Sequence, residues 1–156
     1  VQNAYYETIV LIERLHRHFL DVLKSELDRF NIQDINNVQA LILYNIGEDE
    51  LTVGELTARG YYLGSNVSYN VKKMVENGYI TQERSAHDRR SVRVRLSEKG
   101  LELRGRVRVL FERHIGQLGS SAPSEKELDL CNELMRRLER FWSLELDYAG
   151  FKPQLS

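Results

Sequence analysis

Cysteine is almost missing from this chain. Among 156 residues there is one, Cys131, which excludes a disulfide framework and any zinc site built on several thiolates. Proline and glycine are also sparse, with two and ten residues, so a turn-rich all-β architecture is excluded. Long apolar runs are lacking. The longest, Ile9–Ile12 and Ala40–Tyr44, fall far short of the ~20 residues that a membrane-spanning helix needs. No basic opening followed by an apolar stretch marks a secretory signal, so a reducing, cytoplasmic location is expected. Catalytic signatures are missing as well. There is no Gly-rich phosphate loop with its Lys, no G-x-S-x-G and no H-E-x-x-H, so neither an enzyme nor a cofactor is expected. The histidines are scattered. His16 and His18 stand two apart on a helix and so point to different faces, while His87 and His114 are remote, and no metal site is expected.

What is present suffices for a folded core: 42% of the residues are hydrophobic and 29% are charged. The formal net charge is −1, but it is unevenly distributed. Lys72 to Arg108 holds eleven Lys or Arg against five Asp or Glu, a net +6; the rest holds eleven against eighteen, a net −7. Such a division suits a local polyanion-binding face on an otherwise acidic body, with a solvated charged surface as the plain alternative.

Periodicity orders the elements. Tyr5, Ile9, Ile12, His16, Phe19, Leu23 and Leu27 recur every three or four residues and predict one long helix over Ala4–Phe30. Asn36 with Gln39 is a capping box for a second helix that ends at Gly47, and Thr52 with Glu55 is another for a short helix to about Arg59. A turn at residues 60–64 leads to a helix over Ser65–Asn77 with Val67, Val71, Met74 and Val75 on one face, and Gly78 ends it. The period then changes to two. Residues 79–84 form one strand and Val92, Val94 and Leu96, alternating with Arg93 and Arg95, form another. A hairpin directly behind a helix-turn-helix is a winged helix. Two long helices follow, capped by Ser97 and by the Ser124–Glu127 box, with Cys131 on the apolar face of the last as a buried, inert thiol. The fold class is mainly α with a small β-hairpin wing. Residues 35–96 make the winged helix-turn-helix, and 1–34 with 97–156 make a helical dimerisation layer. The first and last helices carry more apolar surface than one small lobe can cover, which favours a homodimer over an intrachain bundle.

The run LTVGELTARGYYLGSNVSYNVKKMVENGYI followed by ERSAHDRRSVRVRLSEKG resembles the MarR family of bacterial transcriptional regulators. That family's wing reads Asp-Arg-Arg, an alternating strand, then Leu-Thr/Ser-x-x-Gly; here the counterparts are Asp88-Arg89-Arg90, Val92–Leu96 and Ser97–Gly100. The similarity runs from the first helix to the last. One departure is Leu63, where relatives often carry a capping residue. The resemblance implies a homodimer that binds pseudo-palindromic double-stranded DNA, often as a repressor and often released by a small molecule. It also places an effector pocket between the helical layer and the winged helix. Here that means His16, Phe19 and Tyr44, a niche suited to an aromatic ligand, with plain core packing as the alternative.

The residues allow the same chemistry. On the Ser65–Asn77 helix Ser65, Asn66, Ser68, Tyr69, Asn70, Lys72 and Lys73 lie opposite the apolar face. Asn66 suits an adenine edge, Ser65 and Ser68 suit bases or phosphates, and Tyr69 suits a thymine methyl or a phosphate. Lys72 and Lys73 suit phosphates, which position a protein without reading sequence. Arg89 and Arg90 suit a narrow minor groove, with Asp88 shaping the wing by pairing with Arg90. The rival reading is a winged helix whose basic face serves a partner protein.

Overall fold

The computed structural model describes residues 2–59, 64–88, 91–118 and 122–148. Two compact units divide the chain, Val1–Arg108 and Val109–Ser156. The first contains α1 (Gln2–Arg29), α2 (Asn37–Ile46), β1 (Leu51–Thr52), α3 (Val53–Ala58), α4 (Gly64–Glu76), β2 (Ile80–Arg84) and β3 (Val92–Leu96). The boundary falls within α5 (Glu98–Gln117), and α6 (Glu125–Tyr148) belongs to the second unit.

Local chemistry sets the helix ends. The α1 helix stops where Asn31 takes φ 55°, so that Ile32 N–H reaches the Leu27 carbonyl and Asn31 N–H reaches that of Asp28. This is a Schellman turn with Asn in the place Gly usually holds. Gly78, at φ 81°, ends α4 in the same way, with Tyr79 N–H on the Met74 carbonyl and its own N–H on that of Val75. The capping boxes of α2 and α3 are formed as their spacing predicts. Ser124 and Glu127 exchange the same pair of bonds at the start of α6, and the Ser124 N–H and hydroxyl that the Glu127 carboxylate accepts lower its pKa.

The sheet has three strands in the order β1-β3-β2, all antiparallel. The hairpin β2–β3 pairs Ile80 with Leu96 and Arg84 with Val92. The third strand, β1, pairs Leu51 with Val94 and Thr52 with Arg93. A two-residue strand shows no alternation, so the sequence pattern alone gives a two-stranded wing. Val94 and Leu96 are buried while Arg93 and Arg95 are exposed, which is the period-two expectation.

One apolar cluster holds the first unit together. It takes Leu27 from α1, Ile42, Leu43 and Ile46 from α2, Leu56 from α3, Val67, Val71 and Met74 from α4, Ile80, Val94 and Leu96 from the sheet, and Leu103 from α5. Only the last third of α1 contributes buried residues; Tyr6, Val10, Leu11 and Leu15 are exposed. Along α6, Leu130, Leu134, Phe141 and Leu144 are exposed, and so is Cys131. The thiol is therefore not buried within the chain: the apolar face on which it lies is itself uncovered.

Two glycines of α5 make opposite demands. A Cβ on Gly100 would run into the backbone oxygen of Tyr79, whereas a Cβ on Gly105 meets nothing within 4 Å. Gly100→Ala should lower unfolding stability by about 1–3 kcal/mol. Gly105→Ala should raise it by about 0.5–1 kcal/mol, because alanine loses less backbone entropy in a helix. Urea unfolding of both variants checks the pair.

Candidate nucleic-acid interface

The α4 helix is two-sided because its apolar residues fall at helical spacing. Val67, Val71 and Met74 are buried, whereas Asn66, Ser68, Tyr69 and Lys72 are exposed, Tyr69 at 59%. Lys73 is half-buried and already engaged. Its ammonium lies 3.3 Å from Glu76 Oε2 and 5.9 Å from the centre of the Tyr69 ring. Asn70, by contrast, is not an outward-facing residue. It is half-buried, accepts a hydrogen bond from Gln39 Nε2 (3.2 Å) and donates one to the Asn66 carbonyl (2.8 Å).

Behind α4 the β2–β3 loop is closed by backbone bonds from Ser85 N–H to Ser91 O and from Ser91 N–H to Asp88 O, each 3.0 Å. Asp88 thus shapes the turn through its own carbonyl. Arg89, Arg90, Leu63 and the side chain of Ser65 lie outside the described residues. Arg84, Arg93 and Arg95 are exposed on the strands, so the basic segment does present cations to solvent.

The proposed effector residues are placed as follows. His16 is exposed, while Phe19 and Tyr44 are half-buried, and the Arg104 guanidinium stands 5.7 Å from the Tyr44 ring centre. An apolar cavity under α1, α2 and α5 has a volume of about 10 Å³ and is lined by Leu23, Leu27, Phe30, Ala40, Leu103 and Val107 with Glu26 and Arg106. That is room for about one water, and His16, Phe19 and Tyr44 are not in its lining.

A polar knot that sequence reasoning missed fixes the far end of α4. Asp34, in the α1–α2 linker, accepts from the Tyr79 hydroxyl (2.5 Å) on one oxygen and from Lys99 Nζ (2.6 Å) on the other. Lys99 also donates to the Asn77 carbonyl (2.9 Å), and Asn77 Nδ2 donates to the Asp34 carbonyl (2.8 Å). The Lys99 ammonium sits 4.2 Å from the Tyr79 ring centre. Partial burial opposes the Asp34 charge, but the bonds from Lys99 and Tyr79 and the Lys99 charge outweigh it and hold its pKa below the usual value. Burial pushes the Tyr79 phenol up, and the adjacent Asp34 pushes it further, so it stays a donor. The partners are 45 and 65 residues from Asp34 in sequence, so no local pattern announces them.

A model of the MarR family matches residues 33–91. The exopolysaccharide II synthesis transcriptional activator ExpG of Rhizobium meliloti (strain 1021) is 38% identical over 146 residues, covering 94% of this chain and 75% of that protein. The chain belongs to the MarR family of winged-helix transcriptional regulators. Streptococcus pneumoniae FabT, solved in complex with DNA, has a TM-score of 0.71 at 18% identity, covering 89% of this chain and 97% of that one. MarR of Staphylococcus aureus, solved with salicylate and kanamycin, has a TM-score of 0.72 at 22% identity, covering 92% and 93%. These two share the fold.

The knot has a pH signature. Because the folded Asp34 pKa is lowered, its stabilisation is complete above the unfolded carboxylate value, near 4. It disappears as pH falls through the lower folded value. Asp34→Asn should therefore be less stable than the wild type at pH 7, and the difference should shrink steadily below about pH 4. Urea midpoints measured across that range test the sign.

Proposed function

We propose that this MarR-family regulator acts as a homodimer on a pseudo-palindromic DNA operator. In this reading α4 of each subunit enters a major groove and the loop carrying Arg89 and Arg90 reaches the neighbouring minor groove. The observation that carries the proposal is the two-sided α4 helix, apolar toward the core and lined outward with Asn66, Ser68, Tyr69 and Lys72. Ser65 and Lys73 complete the recognition surface, and Asp88 holds the loop. The uncovered apolar residues of α1 and of α6 support a dimer in which residues 1–34 and 97–156 form the shared layer and 35–96 the DNA-binding part. Such regulation takes place in the cytoplasm, at the chromosome.

The expected direction of control shifts with the relatives. A repressor follows from the family resemblance, whereas the relative at 38% identity is named a transcriptional activator, and that favours activation for this chain. The complex of the Staphylococcus aureus relative with salicylate supports a small aromatic effector, and the contacts proposed for it are His16, Phe19 and Tyr44.

Selection of bound duplexes from a random pool tests the reading. Two inverted half-sites spaced by one helical turn are expected, and an unenriched pool would refute it. On the selected duplex Asn66→Ala should cost roughly 1–3 kcal/mol and relax one position per half-site. Lys72→Ala should weaken selected and scrambled duplexes alike and lower the salt slope by about one unit per subunit. Salt-titrated binding to the two duplexes separates these outcomes.

A further inference from the structure

Gln39 is the buried polar residue of the described core, 7% exposed in an otherwise apolar cluster. Both ends of its amide are bonded. Its Oε1 accepts the Asn36 N–H at 3.0 Å, and its Nε2 donates to Asn70 Oδ1 at 3.2 Å. Asn70 passes the chain onward, donating Nδ2 to the Asn66 carbonyl at 2.8 Å. The direction of this relay is fixed at both ends by backbone groups. The Asn36 N–H can only donate, so the Gln39 oxygen must face it and its NH₂ must face Asn70. The Asn66 carbonyl can only accept, so the Asn70 NH₂ must face it, leaving its oxygen for Gln39. Neither amide can flip without placing like groups together.

We infer that Gln39 and Asn70 are specificity-determining positioning residues that fix the rotation of α4 about its own axis without touching DNA. The reason lies in what else holds α4. The knot at Asn77 grips its far end, but Val67, Val71 and Met74 seat the rest by apolar burial, which is non-directional and tolerates a small roll or twist of the turns that carry Asn66. The Gln39–Asn70 bond is directional and weakens steeply off axis. It joins α4 one turn after Asn66, the exposed amide of the recognition surface, so a roll that breaks it also re-aims Asn66. The α2 end of the relay is itself anchored, since Asn37 Nδ2 donates to the Leu20 carbonyl of α1 at 3.0 Å. The inference rests on DNA reading by α4.

The test uses the full chain, the duplex the wild type selects from a random pool, and a scrambled duplex of equal composition. Gln39→Met, Asn70→Leu and the double variant are each measured for urea stability and for the ratio of the two affinities. Asn70→Leu strands the buried Gln39 amide, and Gln39→Met strands the half-buried Asn70 oxygen and the Asn36 N–H; each should lower stability and, by roughly tenfold, the ratio. The double variant leaves neither amide unpaired, so stability should recover relative to the single variants, short of wild type by the Asn36 N–H bond lost with Gln39. Its ratio should stay low, because no directional bond remains at the turn that follows Asn66; the knot at Asn77 grips only the far end of α4. A ratio that recovers together with stability would make the pair merely structural and overturn the inference. So would single variants that retain wild-type discrimination. A wild type that binds neither duplex would instead overturn the DNA reading, before any variant is compared.

Discussion

Tyr79 is where the first unit is tied together. Its N–H ends α4 on the Met74 carbonyl, and its own carbonyl accepts the Ser97 N–H at the start of α5. Its phenol reaches back to Asp34 in the α1–α2 linker. One residue therefore commits backbone and side chain to three segments that are distant in sequence. Ser97 reinforces the joint by donating its hydroxyl to the Gly78 carbonyl at 2.6 Å while accepting the Gly100 N–H. The close passage of Gly100 over the Tyr79 carbonyl follows from the same junction, since any side chain there would hold α5 away from it.

From this joint the division of labour in α4 becomes clear. Its last turn is clamped, its inner face is greased by valine and methionine, and its outer face is left polar. A chain of −1 overall charge then needs only a local excess of cations to address a polyanion, and residues from Lys72 to Arg108 supply it. Part of that supply is held in reserve. Lys73 is paired with Glu76 in the same helix, so a phosphate would have to draw it from an existing partner.

Much of this was legible in the sequence, for a physical reason. The boxes at Asn36–Gln39, Thr52–Glu55 and Ser124–Glu127 join groups three residues apart, so spacing alone reveals them. The alternation of Val92, Val94 and Leu96 with two arginines shows a half-buried strand, and the apolar face of α4 shows in Val67, Val71 and Met74. The Asp34 knot, the pairing of β1 with β3 and the bond between Gln39 and Asn70 were not legible. Each joins residues about 20 or more apart, and only the tertiary fold brings them together. Asn70 is the instructive case at the candidate site. A polar residue at the edge of a helix face reads as solvent-exposed until the neighbouring helix supplies its partner.

The Asp34 knot bears on how such proteins can be cut and recombined. The stretch that looks like a portable reading head, from the start of α2 to the end of β3, excludes both Asp34 and Lys99. Excised along those borders it would lose the carboxylate that anchors Tyr79 and the ammonium that caps the end of α4. It would also lose Leu27 and Leu103 from its core. The smallest transplantable cassette is thus longer than the motif it carries. It must begin within the last turns of α1 and run beyond the first turn of α5, and chimaeras that exchange recognition helices should inherit their junctions from one parent.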